Sequence, residues 1–490
     1  MNESANGPSV FDPQRWGLPM QAVAGLADRL RGIWARYRDC FKTKTHNTSE
    51  NALVYLRGLL TMETKRNFVN IAQRVQGIDE DGQNLQQFMS DSPWSGQAVF
   101  DQIRQEVGQR PELRGGMLTL DESGDECAGD QKAGAARQYL GREGKVDMGQ
   151  VGVATGFYKD GIWTMVGAEL YLPETWFDPA HAKLRKRWHI PAERTFATKP
   201  ALGLQLIRQA KSQGLSFEVV GCDSVYGRDG QFRADLAAED VIYMADIPAN
   251  MQVYLTKPIV GLPETPPGKK GRPFSQPQVL NGVEAVTVRT LVGHSDFVLQ
   301  PLAIRQTERG LLTYHCAARR VWTLTPKGGA REEWLFIRRE RDNTFSFSLS
   351  NAPVATPSAH LALWRCQRYF AERIFQDCKS EGGWDELVAR KYRAWVHHTA
   401  LDALALWFIA ETKLDWAQAY PRDPELQRQL AVEVLPALSM ANVRKMLLAV
   451  MPLEQLSPET ATRLVITHLV KRSSSTRSRL KAQRKNRGPT

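Results

Sequence analysis

The sequence lacks a long apolar run. Its longest, Ala403-Leu-Ala-Leu-Trp-Phe-Ile-Ala410, falls far short of the ~20 residues that cross a bilayer, so it predicts a buried helix and no membrane span. The amino terminus, Met1-Asn-Glu-Ser-Ala-Asn-Gly-Pro8, has neither the basic nor the apolar region of a secretory signal, and a cytoplasmic protein is expected. Cysteine is scarce. The six residues at positions 40, 127, 222, 316, 366 and 378 form no Cys-x-x-Cys pair and have no His at zinc spacing, which argues against a structural zinc or a disulfide framework. They read as small apolar packing residues.

What is present is an ordinary globular composition, 42% hydrophobic and 9% aromatic, spread over 490 residues. That length exceeds what one core usually supports. The net charge of +11 is regional: residues 471–490 hold eight Lys or Arg and no acid, and residues 251–342 hold 14 basic against 8 acidic side chains. Such concentration suits a polyanion partner, because each neutralised phosphate releases condensed counterions. A solubilising tail and a solvated loop would carry the same charge.

Residues 14–110 place apolar side chains at helical spacing, for example Leu53, Leu56, Leu59 and Leu60, then Phe68, Ile71, Ala72 and Val75. After Arg114-Gly115-Gly116 the period changes, and Met117-Leu-Thr-Leu120 is a short apolar run ending in Asp121. Two β-rich stretches, 148–158 and 162–172, flank Lys159-Asp160-Gly161, a hairpin signal. A helix over 200–213, a strand over 217–222 ending in Asp223, another helix and a strand over 241–245 follow. The order β-β-β-α-β-α-β describes a mixed sheet of ribonuclease H type, whose first and fourth strands lie side by side. Asp121 and Asp223 would then meet at equivalent ends of adjacent strands, which is metal-site geometry.

From about 248 to 353 strands dominate, interrupted by the punctuated loop 263–277 with Gly268-Lys-Lys-Gly-Arg272. Helices resume near Ser358. One helix over 359–379 would carry Leu363, Cys366, Phe370, Ile374 and Cys378 on an apolar stripe, and Arg365, Arg368, Glu372, Gln376 and Lys379 on another face. By itself Glu372 would be a surface acid paired with Arg368 four residues earlier. Glu122, Asp125 and Glu126 read as a polar loop after Asp121, with a metal-site role as the lesser alternative, and His397 and His398 as helix-packing residues, with acid-base chemistry as the lesser alternative.

Taken in order, these segments resemble the DDE transposases of bacterial insertion sequences, in the group with a Tyr-x2-Arg-x3-Glu-x6-Lys signature around the last acid. Arg368, Glu372 and Lys379 stand at that spacing, with Arg365 where the signature has Tyr. Leu120-Asp-Glu-Ser-Gly124 and Gly221-Cys-Asp-Ser-Val-Tyr-Gly227 look like the family's first and second acid segments. Likeness continues through Leu85-Gln-Gln-Phe-Met-Ser-Asp-Ser-Pro-Trp94, Gly134-Ala-Ala-Arg-Gln-Tyr139, Gly144-Lys-Val-Asp147, Glu169-Leu-Tyr-Leu-Pro173 and Ala197-Thr-Lys-Pro200.

The resemblance implies catalytic and metal-holding roles for Asp121, Asp223 and Glu372, with two Mg2+ ions, Mn2+ being a substitute. It implies DNA contacts from Arg368 and Lys379, and an Arg at position 365 could grip a phosphate in place of the Tyr. Lys269, Lys270 and Arg272 of the projecting loop are further expected DNA contacts. The expected partners are double-stranded DNA with terminal inverted repeats and target DNA, with a homodimer on paired ends, acting in the cytoplasm at the nucleoid. The expected fold is α/β, a ribonuclease H-like mixed sheet with a β-rich insertion and helical regions at both termini. Its divisions are 1–110, helical and DNA-binding; 111–250 and 357–412, the two parts of the catalytic domain; 251–356, the β-rich basic insertion; 413–470, helical; and 471–490, a basic disordered tail. The expected activity is metal-dependent cleavage at transposon ends and strand transfer. A regulatory DNA-binding descendant and a purely hydrolytic nuclease are the alternatives.

Overall fold

The computed structural model describes residues 8–264 except Arg142, residues 274–451, and scattered positions from 459 to 481. Lys269, Lys270 and Arg272 lie outside the described residues. Of the basic tail, positions 473, 476–479 and 481 are described and have helical backbone, where the composition predicts disorder.

Six helices open the chain: α1 (Met20–Ala24), α2 (Leu26–Tyr37), α3 (Ser49–Thr61), α4 (Phe68–Val75), α5 (Gln83–Ser90) and α6 (Gly96–Gln109). In α2, Leu26, Leu30, Ile33 and Tyr37 are buried at steps of four and three, the stripe a 3.6-residue period demands. Four strands follow, β1 (Gly116–Glu126), β2 (Ala136–Leu140), β3 (Lys145–Lys159) and β4 (Ile162–Tyr171), then α7 (Ala182–Arg187) and α8 (Lys199–Ser212). Thr198 caps α8 by accepting from the Ala201 amide, with Pro200 in the first turn where its missing N–H costs nothing. Next come β5 (Phe217–Cys222), α9 (Ser224–Gly227), α10 (Gly230–Ala238) and β6 (Tyr243–Ile247).

β1 pairs parallel with β5 and antiparallel with β3, β5 pairs parallel with β6, and β4 pairs with β3. The order β4-β3-β1-β5-β6 places the expected first and fourth strands side by side. One strand was not foreseen. β2 adds to β3 on the edge opposite β1, beyond the point where β4 leaves it at Val151, with Ala136 opposite Gly149.

Two short pairs, β7 (Gln252–Val253) with β10 (Val286–Thr287) and β8 (Val260–Gly261) with β9 (Gln278–Val279), precede β11 (Gln300–Thr307), β12 (Gly310–Leu324), β13 (Ala330–Arg339) and β14 (Phe345–Ser350). The four longer strands form a meander whose last member pairs with β6, Ser348 opposite Asp246. The β-rich stretch thus continues the sheet of β1 to β6 to ten strands. Glu333 on β13 seals this junction. Fully buried, it accepts hydrogen bonds from Tyr243 on β6 and Thr323 on β12 and pairs with Arg233 of α10 at 3.2 Å.

α11 (Ser358–Gln367) and α12 (Phe370–Asp377) replace the single helix expected over 359–379, and a π-turn spans Cys378–Gly382. The break at Arg368 and Tyr369 resets the rotation, so Leu361, Ala362 and Trp364 are buried in α11 while Leu363 and Cys366 are only partly covered. α13 (Tyr392–Ala419) is almost wholly buried, and its residues 403–410 are at most 1% exposed. It packs against β4, α6 and α3, joining the amino-terminal helices to one face of the sheet. His397 and His398 belong to this packing. His397 stacks on Trp94 at 3.7 Å between centroids, and His398 bonds Tyr55 and the Gly383 carbonyl. α14 (Glu425–Gln429) and α15 (Met440–Val450) end the continuously described chain. Among the described residues no helix is long and apolar enough to cross a membrane.

Candidate active site

Alternation along β1 decides which way each acid points. Met117 packs in the cluster with α11, while Leu118 and Leu120 join the cluster that contains α8. Asp121 therefore faces the α11–α12 side, and Glu122 faces α8, where Lys199 meets its carboxylate at 2.8 Å. Parallel pairing of β1 with β5 ends at Leu120 and Cys222. Asp223 follows at once, capping α9 by accepting from the Val225 amide at 2.9 Å. One oxygen from each of Asp121, Glu122 and Asp223 lies within 4.8 Å of the other two.

Crowding shows in the electrostatics. Burial and the neighbouring Asp223 carboxylate push the Asp121 carboxyl far above the usual range, and burial and Glu122 do the same to Asp223. Glu122 Oε2 and the Tyr226 hydroxyl are buried beside these groups, facing each other. A divalent cation is the natural partner for such a donor set, since hard cations take carboxylate oxygens and cancel their repulsion.

Glu372 stands in the first turn of α12, 59% exposed at its side chain, and outside that trio. Arg368 connects them. Its terminal nitrogens lie 3.7 Å from Asp121 and 3.4 Å from Glu372. Arg365, expected to face a phosphate, is instead buried, with Nε 2.8 Å from Asp246. Lys379, in the π-turn, holds Asp125 at 2.6 Å. Asp125 and Glu126 are not in a loop: β1 runs on through both, paired with Gln150 and Gly149 of β3.

Asp246 has no motif of its own. Its one sequence signal is its place directly after the expected strand 241–245, a third acid near a strand end. A cavity of about 680 Å³ lies elsewhere, between the loops 64–67, 127–132 and 385–390.

A probable transposase for insertion sequence element IS701 of Microchaete diplosiphon is 29% identical over 210 residues, 42% of this chain and 50% of that protein. The chain thus matches about half the length of that relative. A family model described as DDE superfamily endonuclease matches residues 36–311, a span that includes Asp121, Glu122 and Asp223 and stops before Glu372. That span is more than half of the 490 residues, and the chain belongs to the DDE superfamily of endonucleases.

Proposed function

We propose that the chain is an insertion-sequence transposase that cuts DNA at the ends of its element and joins the freed ends to target DNA. The observation that carries this reading is the convergence of Asp121 and Asp223 at adjacent strand ends, inside the span matched by the endonuclease family. The name of the matched relative supports the transposition role.

In this reading Asp121 and Asp223 hold Mg2+ from the sheet, and Glu372 completes the set from α12. Bound Mg2+ would supply the charge that activates the attacking oxygen and stabilises the leaving one. The protein's own part is placement. β1 and β5 fix two carboxylates with no rotatable backbone between them and the ladder, so little reorganisation is left for the reaction. Arg368 and Lys379 are the proposed phosphate contacts, Lys379 exchanging Asp125 for DNA. The amino-terminal helices and the basic stretches, Lys269, Lys270 and Arg272 included, are proposed to bind the terminal repeats, with two copies on paired ends.

The test is incubation with the element's end DNA and Mg2+, mapping cuts by strand. Asp121→Ala, Asp223→Ala and Glu372→Ala should each abolish cleavage and retain DNA binding. Undiminished cleavage by the Glu372 variant removes that residue from the set. Cutting without any joined product would identify a nuclease, and binding without cutting a regulatory protein.

A further inference from the structure

We propose that Asp246 is a positioning residue that holds Arg368 off the metal-binding carboxylates, so that they stay open to a cation. The inference rests on the reading of Asp121 and Asp223 as metal ligands.

Asp246 sits on β6, opposite Ser348 of β14, at the edge where the meander joins the catalytic sheet. Its two oxygens are divided. Oδ1 accepts from the Ser348 hydroxyl at 2.7 Å and lies 2.8 Å from Arg365 Nε, and Oδ2 lies 2.9 Å from Arg368 Nε, both as ion pairs. All three partners come from other elements: β14, the last turn of α11, and the break between α11 and α12. With Nε paired to Asp246 at 2.9 Å, the Arg368 guanidinium approaches Asp121 with a terminal nitrogen at 3.7 Å, beyond hydrogen-bond reach.

The arrangement also accounts for Arg365 at the signature's Tyr position. A buried guanidinium needs a counter-charge. Asp246 supplies it, and Arg365 and Ser348 in turn fix the carboxylate that restrains Arg368. One carboxylate shared by two guanidiniums leaves Arg368 partly uncompensated. Without Asp246, its nearest remaining anions are Glu372 at 3.4 Å and Asp121 at 3.7 Å. Closing on them would occupy the lone pairs a cation needs and add repulsion to its approach.

The experiment titrates Mn2+ into the full-length chain and follows the rise in melting temperature, which needs no DNA cleavage. Asp246→Asn should require at least about fivefold more Mn2+ for half the rise, because a nearby negative charge is lost and a positive one moves closer. It should also melt earlier in chelator, since Arg365 is left buried without its counter-charge. The double variant Asp246→Asn with Arg365→Met removes that stranded charge. It should regain the chelator melting temperature and keep the raised Mn2+ requirement. Asp246→Glu, which keeps the charge, should bring the requirement back towards wild type.

A wild-type Mn2+ requirement in Asp246→Asn overturns the proposal, as does its full recovery in the double variant. A wild-type chain with no Mn2+ response overturns it together with the metal site. A wild-type chain that binds Mn2+ and leaves DNA uncut defeats only the transposase reading.

Discussion

Leu120 and Cys222 form the last rung of the parallel ladder between β1 and β5, and the residue after each is a carboxylate. Parallel strands present equivalent ends on the same edge of a sheet, so two acids 102 positions apart in sequence meet without any long side chain reaching for the other. Their proximity is a property of the ladder, and so is its electrostatic cost.

That cost predicts a pH dependence. A carboxyl whose folded pKa lies above its unfolded value binds more protons in the native state, so its contribution falls as pH rises between the two values. Asp223, pushed up to about 6, and Asp121, pushed up to about 8, should make the metal-free protein lose stability from about pH 4 towards pH 8. The check is the melting temperature of wild type against Asp121→Asn over that range in chelator. The difference should shift in favour of the variant as pH rises, and Mn2+ should shrink it. Parallel curves would mean that the carboxyls are not strained.

Gly227, four residues beyond the α9 cap Asp223, has a separate role. A Cβ here would be driven into the Asp246 carbonyl oxygen, so backbone must move. Gly227→Ala should cost about 3 kcal/mol in urea unfolding, at the upper end of ordinary overpacking. Cleavage should fall more than stability alone explains, since Asp223 caps α9. An unfolding midpoint equal to wild type would show that the turn yields freely.

Which parts of this site the sequence discloses follows from how local each signal is. The apolar runs before Asp121 and Asp223 carry strand identity in a few residues, and strand order then fixes their meeting. The helix period around Glu372 was misleading beyond its own turns, because Arg368 answers Asp246 and Asp121 across the fold and the helix breaks where those pairs form. Beyond its place after a strand, Asp246 carries no sequence signal for the same reason: its partners lie 102 to 122 positions away. The continuation of the sheet into β14 is equally invisible, since strand periodicity says where a strand is and not which edge it joins.

Glu333 tests that junction. Replacing it with Gln keeps the volume and removes the charge that Arg233 and Arg331 face. Breaking a buried pair from one side should destabilise the chain by about 3–5 kcal/mol in urea unfolding. Loss of a single cooperative transition, with the meander unfolding ahead of the rest, is the expected accompaniment. A change below about 1 kcal/mol would place the pair among the energetically neutral ones.

The carboxy-terminal tail offers a prediction that needs no knowledge of the terminal repeats. Residues 471–490 carry eight Lys or Arg and no acid, and the described ones, Arg477, Arg479 and Lys481 among them, are exposed. Exposed cations of one sign bind a duplex by releasing counterions, and each phosphate neutralised contributes a slope of about −0.9 to log affinity against log salt. If half of the eight engage phosphates, deleting residues 471–490 should flatten that slope by about 3 to 4. Affinity for an arbitrary duplex should fall most at low salt, where counterion release is strongest. Nonspecific binding measured by fluorescence anisotropy across a salt series gives both numbers at once. An unchanged slope in the shortened chain would leave the tail as a solubilising segment and move the DNA contacts to the folded part.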